Sequence, residues 1–199
     1  MRFSVILPSH NGADRIRTAL NSIKEQTFKD YELIVVCDAC SDLTADIAQA
    51  YGATVLTVPY RRCGLARNDA IARAQGEYLI FIDDDDCFLH EFVFDQIDKK
   101  LKEQNPDVLC FSFLFKGWKY STCKDESGHY WTAVWTKCWK RSFVKDCKFS
   151  DDVRGSDVVF TRQVLSKNPK IVEWDMPLYA YTHMREGSIT ETYFRGKQK

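Results

Sequence analysis

An α/β fold, with a mostly parallel central sheet and helices on both faces, is the class this chain predicts. Three observations carry it. Short apolar runs without polar alternation recur through the first half, and segments of helical period separate them. One such run, Tyr78 to Ile82, ends in four consecutive aspartates, Asp83 to Asp86. Strands buried on both faces read as continuous apolar runs, and the intervening helices supply their cover.

Phe3 to Leu7 reads as the first strand, and Ile16, Leu20 and Ile23 then recur at helical spacing. Tyr31 to Val36, rich in β-branched residues, is a second strand. Leu43, Ile47 and Ala50 mark a second helix, with Ser41 or Asp42 as N-cap and Gly52 as its stop. Thr54 to Val58 is a strand ended by Pro59, Leu65 to Ala74 is helical, and Gly76 closes that helix before the strand leading to the aspartates. Phe92 to Leu101 is an amphipathic helix, and Val108 to Phe115 a strand after Pro106. Trp118 to Phe149 is dense in Trp, Tyr, Cys and Lys and shows no clean period. Val158 to Leu165 is helical, and Ile171 to Trp174 and Tyr179 to His183 read as short strands.

Bulk properties narrow the function classes. A chain of 199 residues suits a single domain, here with a first half, 1–86, and a second, 87–199, that elaborates it. Lys and Arg balance Asp and Glu at 28 each, so general attraction to nucleic acid or acidic lipid is not expected. The apolar stretch Phe3 to Leu7 is too short for a secretory core, and Val108 to Phe115 is far below membrane-spanning length. The expected location is therefore the cytoplasm, and eight cysteines there are expected as reduced thiols.

Four adjacent carboxylates repel one another, so either some stay protonated or a cation is present. An oxygen-rich, sulfur-free cluster suits a hard ion such as Mg²⁺ or Mn²⁺. At the carboxyl end of a parallel strand it lies where open α/β sheets bind ligands. A solvated acidic loop after a strand is the other reading of the same residues.

Several motifs in fixed order, "VILPSHN", "ELIVVCDACSDLT", "GLARNDAIARAQGEYLIFIDDDD", "VWTKCWKRSFV", "RGSDVVFTRQVL" and "LYAYTHMREGSIT", together resemble the family 2 glycosyltransferases of GT-A fold over nearly the whole chain. The resemblance implies an inverting transfer of a sugar from a nucleotide-diphosphate donor, with uridine the expected base, to an acceptor hydroxyl. Pro8, His10 and Asn11 would hold the base, with Ser9 or Asn11 as alternative helix caps. Asp38 maps to the second aspartate of the family's "DDGS", with Cys37 and Cys40 replacing its first and last residues. Arg67 and Asn68 would meet the donor phosphates, and a surface arginine is the plainer reading of Arg67.

The D-x-D position is filled by Asp83, Asp84 and Asp85. Asp85 is expected as direct metal ligand, Asp83 on the donor ribose or on the metal through water, and Asp84 in support. Asp157 inherits the catalytic base, with Asp151 and Asp152 as nearby substitutes. His183 would complete the metal shell and Arg185 would close over the diphosphate. Trp135 and Asp86 are expected on the acceptor side, where Trp131 and Trp139 are further aromatics with an equal reading as core. Implied partners are a nucleotide sugar and a carbohydrate or lipid-linked glycan acceptor. A homodimer and a peripheral seat at the inner membrane face are also allowed.

Three rivals remain. "CDAC" is a Cys-x-x-Cys pair where a thiol oxidoreductase carries its reactive cysteine. A binding module without catalysis would explain the altered motifs, and a nucleotidyltransferase would share the metal carboxylates. Zinc held by Cys37, Cys40, Cys63 and Cys87 has only the count in its favour.

Overall fold

Every residue of β1 (Phe3–Ser9) is buried, because neighbours pair with it on both edges and helices cover both faces. Phe3, Val5 and Leu7 enter one apolar cluster, and Ile6 the other. The structure, a computed structural model, describes residues 1–115, 119–153 and 155–182. On one edge β1 pairs in parallel with β2 (Tyr31–Asp38), which pairs in parallel with β3 (Thr54–Val58). On its other edge lies β4 (Tyr78–Phe81), also parallel. These four strands, their carboxyl ends aligned, are the parallel half the apolar runs predicted.

Helices α1 (Ile16–Lys24), α2 (Thr44–Ala50) and α4 (Val93–Gln104) place Ile16, Leu20, Ile23, Ile47, Phe94 and Ile97 on one face of the sheet. Helices α3 (Cys63–Arg73) and α6 (Ser156–Ser166), with the short α5 (Arg141–Val144), cover the other with Ala66, Ala70, Val144, Phe160 and Val164. Gly76 is required where β1 passes: a Cβ there would lie 2.4 Å from the Ser4 amide nitrogen. Neither Ser9 nor Asn11 caps α1, which starts at Arg15 without a side-chain cap. Ser9 and Asn11 bond other loops instead. The Asp42 carboxylate accepts from the Thr44 amide at the start of α2, and Gly52 takes φ +80° after its end.

Beyond β4 the sheet is mixed, with nine strands among the described residues, in the order β3-β2-β1-β4, then Lys137–Lys140, Val108–Phe115, Ile171–Tyr181 and Cys87–Phe88, while Lys119–Ser121 pairs off this path with Val108–Phe115. After β5 (Cys87–Phe88) and α4, β6 (Val108–Phe115) lands one position away from β4, and β8 (Lys137–Lys140) fills the gap antiparallel to both. The unreadable segment thus holds the strand joining the two halves, together with β7 (Lys119–Ser121), which pairs with β6, and a 3-10 turn at Val134–Thr136. The two short strands expected near the end are one, β9 (Ile171–Tyr181), parallel to β6. Pro177, which has no amide hydrogen to donate, sits where the register slips opposite Ser112. Among the described residues no helix is long and apolar enough to cross a membrane.

Candidate active site

The carboxyl ends of β1, β2, β3 and β4 lie side by side, with α1 and α3 on opposite faces of the sheet, which is where open α/β sheets bind ligands. Three loops there each hold a non-glycine residue in the left-handed region: Asn11 (φ +47°), Ala39 (φ +52°) and Arg61 (φ +51°). Such conformations are unfavourable for L residues and persist only where the surroundings enforce them. The enforcing bonds are visible. Both Asp38 oxygens accept from backbone amides, those of Arg61 and Arg62, at 2.6 Å each. His10 Nδ1 donates to the Asp38 carbonyl at 2.6 Å, and Asn11 Oδ1 accepts from the Ser41 amide at 2.8 Å. Of the residues expected to hold a base, Pro8 and Asp38 are buried, whereas His10 and Asn11 are exposed.

The four aspartates disperse. Asp83 Oδ1 accepts from Arg67 Nη2 at 2.8 Å, and burial, only partly opposed by Arg67, pushes its carboxyl up to about 6. Asp84 is buried and gripped by Arg15, whose Nε and Nη2 donate to Oδ1 and Oδ2 at 2.9 and 2.8 Å, while Ser9 Oγ adds a 2.5 Å donation. Burial raises Asp84 against the pull of Arg15 and Ser9. Asp85 is half-buried. Asp86 does not face an acceptor space. It is wholly buried, accepts from Tyr179 Oη at 2.7 Å and the Thr182 amide at 2.6 Å, and burial and Asp83 push it up to about 8.

Asp157 lies in the first turn of α6, where a carboxylate suits the helix dipole. Its Oδ1 accepts from Arg67 Nη1 at 2.6 Å and its Oδ2 from the Val134 amide at 3.3 Å. Arg67 is therefore no surface residue: it is 4% exposed and bridges Asp83 to Asp157. Both Nη atoms face carboxylates and Nε has no partner, so its fork is engaged within the protein. Burial works against its charge, but Asp157 and Asp83 outweigh it and hold the proton more firmly than usual. Its guanidinium carbon also sits 5.4 Å from the Phe149 ring centre.

Other expected residues take structural places. Asn68 brackets Phe149, donating to its carbonyl and accepting from its amide at 2.9 Å each. Trp135 is buried and stacks on Tyr179 and Tyr181 at 4.7 Å. Trp139 is core, whereas Trp131 is 39% exposed beside Phe113. Asp151 and Asp152 are exposed ahead of α6. His183 and Arg185 fall outside the described residues. Sequence reasoning passed over Arg15 and Tyr179, although a cation at the amino end of a helix is a signal in itself.

Carboxylates outnumber cations at this end of the sheet even with Asp86 protonated: Asp83, Asp84, Asp85 and Asp157 are set against Arg15 and Arg67. Yet among the described residues no group of three or more His, Cys, Asp or Glu is arranged to hold a metal ion, which also leaves zinc without its cysteine set. The Cys-x-x-Cys pair is reduced, with Cys37 buried and its thiol pushed up to about 12 by burial and by Cys40. That is the reverse of the low value a redox nucleophile requires.

A sequence model of glycosyl transferase family 2 matches residues 4–169. Glycosyltransferase GlyA of Streptococcus pneumoniae is 24% identical over 96% of this chain and 32% of its own length. Poly(ribitol-phosphate) beta-N-acetylglucosaminyltransferase TarS of Staphylococcus aureus is 27% identical over 94% of this chain and 36% of its own. The chain thus spans about a third of the length of these curated relatives. The crystal structure of S. aureus TarS 1–349 with UDP-GlcNAc superposes with a TM-score of 0.83 at 24% identity, covering 96% of this chain and 61% of that one. Mannosyltransferase PcManGT of Pyrobaculum calidifontis, solved with GDP-Man and Mn²⁺, gives 0.76 at 18% identity, covering 96% and 59%. These superpositions make the fold GT-A.

Proposed function

Because the chain belongs to glycosyl transferase family 2, we propose that it transfers a sugar, with inversion, from a UDP-linked donor to an acceptor hydroxyl, using Asp157 as the base. The observation that carries this reading is the tie of Asp157, through the buried Arg67, to Asp83 of the D-x-D turn. One guanidinium thereby fixes the distance between the proton acceptor and the donor-binding carboxylates. Asp157 keeps a quarter of its side chain exposed, enough for an acceptor hydroxyl to reach it. The uridine would lie on the rim of Pro8, His10, Asn11 and Asp38, consistent with the UDP-GlcNAc bound by TarS. Arg67 supports the base and Asp83 rather than meeting the diphosphate directly, and Asn68 acts by holding Phe149 against Arg67.

The residues fit a divalent cation, Mn²⁺ or Mg²⁺. The surplus of carboxylates asks for positive charge, although among the described residues no three His, Cys, Asp or Glu are grouped to hold a metal ion. Such ions keep several waters and take few carboxylates. Asp85 would be the direct ligand, with Asp83 beside it. When bound, the ion would neutralise charge developing on the departing diphosphate. Asp84 would only position that turn. Trp131, the exposed aromatic on the acceptor side, would face the incoming glycan.

The test is product analysis with a panel of nucleotide sugars and simple glycan acceptors in the presence of Mn²⁺. Release of UDP and a new glycosidic bond of inverted configuration support the reading. Release of pyrophosphate from a nucleoside triphosphate, or binding without turnover across the panel, would replace it.

A further inference from the structure

Arg15 stands just ahead of the first turn of α1, where the helix end carries partial positive charge and a cation is disfavoured. It is held there by what it bonds. Nε and Nη2 form a fork on the Asp84 carboxylate at 2.9 and 2.8 Å. Nη2 also donates to the His10 carbonyl at 3.0 Å, and Nη1 to the Asn11 carbonyl at 2.7 Å and to Asp14 Oδ1 at 3.0 Å. One planar group therefore spans from the loop after β1 to the acidic turn after β4, 69 residues apart in sequence. Only an arginine can do this, since a lysine ammonium has no fork.

The surroundings are built for this arrangement. Ser9 Oγ donates to the same Asp84 oxygen, and a Cβ on Gly12 would lie 2.2 Å from Ser9 Oγ and 2.7 Å from Asp84 Oδ2. The Gly12 amide is itself fixed, donating to Thr44 Oγ1 at 2.8 Å, so the loop is tied to α2 as well.

We propose that Arg15 is a positioning residue that locks the nucleoside-binding loop and the metal-binding turn into one body, so that two donor subsites depend on a side chain outside both. The inference rests on the donor-binding reading given above. It makes a demand that simple loop support does not: loss of Arg15 must weaken two ligands that share no contact.

Bind each ligand alone, Mn²⁺ by electron paramagnetic resonance without nucleotide, and uridine by chemical-shift titration without metal. Compare the wild type with Arg15→Gln and Arg15→Lys, using His10→Ala and Asp85→Asn as single-subsite controls, and record Tm for each. Both Arg15 variants are expected to lose roughly 10- to 100-fold in Mn²⁺ affinity, the usual effect of removing a residue that orients a ligand. Uridine affinity is expected to fall about fivefold or more, the lower end of measured site couplings. His10→Ala should lose uridine alone and Asp85→Asn Mn²⁺ alone. Should an Arg15 variant melt, Ser9→Ala, which removes one bond to Asp84, decides the matter with a loss of about threefold at both subsites. Variants that keep either affinity while the wild type binds both ligands would overturn the lock alone. A wild type that binds neither would overturn the donor-binding reading, and the lock with it.

Discussion

Replacing Arg67 by methionine asks how much of the fold hangs on one buried cation. The guanidinium, itself almost closed to water, lies within 2.8 Å of Asp83 and 2.6 Å of Asp157, whose side chains keep 32% and 25% of their surface exposed. A charge pair about 4 Å apart is worth roughly 4 kcal/mol at an effective dielectric of ~20. Two such pairs are set against a desolvation penalty of several kcal/mol for the buried ion. The net of the intact triad is therefore modest, but its rupture is not, because Asp83 and Asp157 are left facing each other without a counter-charge. Breaking a buried pair by removing one partner typically costs 3–5 kcal/mol, so Arg67→Met is expected to lose about 4 kcal/mol. Methionine fills most of the volume against Phe149 and Phe81, which keeps a cavity from confusing the result. Urea denaturation followed by fluorescence reads the loss as a lowered midpoint at unchanged slope. The double variant Arg67→Met/Asp157→Asn removes the repulsion and should recover more than half of it. A single variant within about 1 kcal/mol of the wild type, or a double variant no better than the single, would refute the argument.

Asp157→Asn should lower kcat by about 10²–10⁴ with little change in donor KM, measured by initial rates of UDP release. Ala39→Gly relieves a left-handed alanine at φ +52° and should raise Tm by about 2 °C in calorimetry, the net of ~1–2 kcal/mol of relieved strain and the greater freedom of glycine when unfolded. Lys137 is buried, its ammonium donates to the carbonyls of Trp131 and Ala133 and to Thr136 Oγ1, and burial pushes it down to about 8 from an unfolded value of 10.5. Between those values the unfolded chain binds more protons, so this residue makes stability rise with pH across that window, with its cost fully present below about 8. The thiols of half-buried Cys63 and buried Cys110, pushed up to about 12, act in the opposite sense as the pH rises. The test is therefore the difference between wild type and Lys137→Met, which should shift in favour of the wild type from pH 8 to 10; a flat difference would show that burial leaves Lys137 unperturbed.

How far the sequence could be read depends on whether the physics was local. β1, β2 and β4 were legible because burial on both faces leaves uninterrupted apolar runs, and α1 and α4 because their apolar residues recur at helical spacing. β8 was not, because its buried core includes Lys137, and a lysine in a four-residue strand erases the pattern that would reveal it. The position of Asp157 at a helix start followed from the motif alone. Its partner Arg67 was visible as a residue but not as a buried bridge, since the bridge joins positions 90 apart. Asp86 was legible as an acid at a strand end. What makes it buried and half of a hydrogen-bonded pair is Tyr179, 93 residues later.

The aspartate run itself shows why residue type and order were insufficient. Successive residues leaving a strand project alternately to the two sides of the sheet. Asp83 accordingly meets Arg67 of α3, on one face, and Asp84 meets Arg15 at the start of α1, on the other. Asp86 reaches Tyr179, which belongs to the same cluster as α1. Three acids of the run, Asp83, Asp84 and Asp86, thus meet separate partners in space, each from a different element, and mutual repulsion is reduced before any cation arrives. A single aspartate at this strand end would engage one face only. The run allows the turn to be held from both faces at once, by Arg67 on Asp83 and by Arg15 on Asp84.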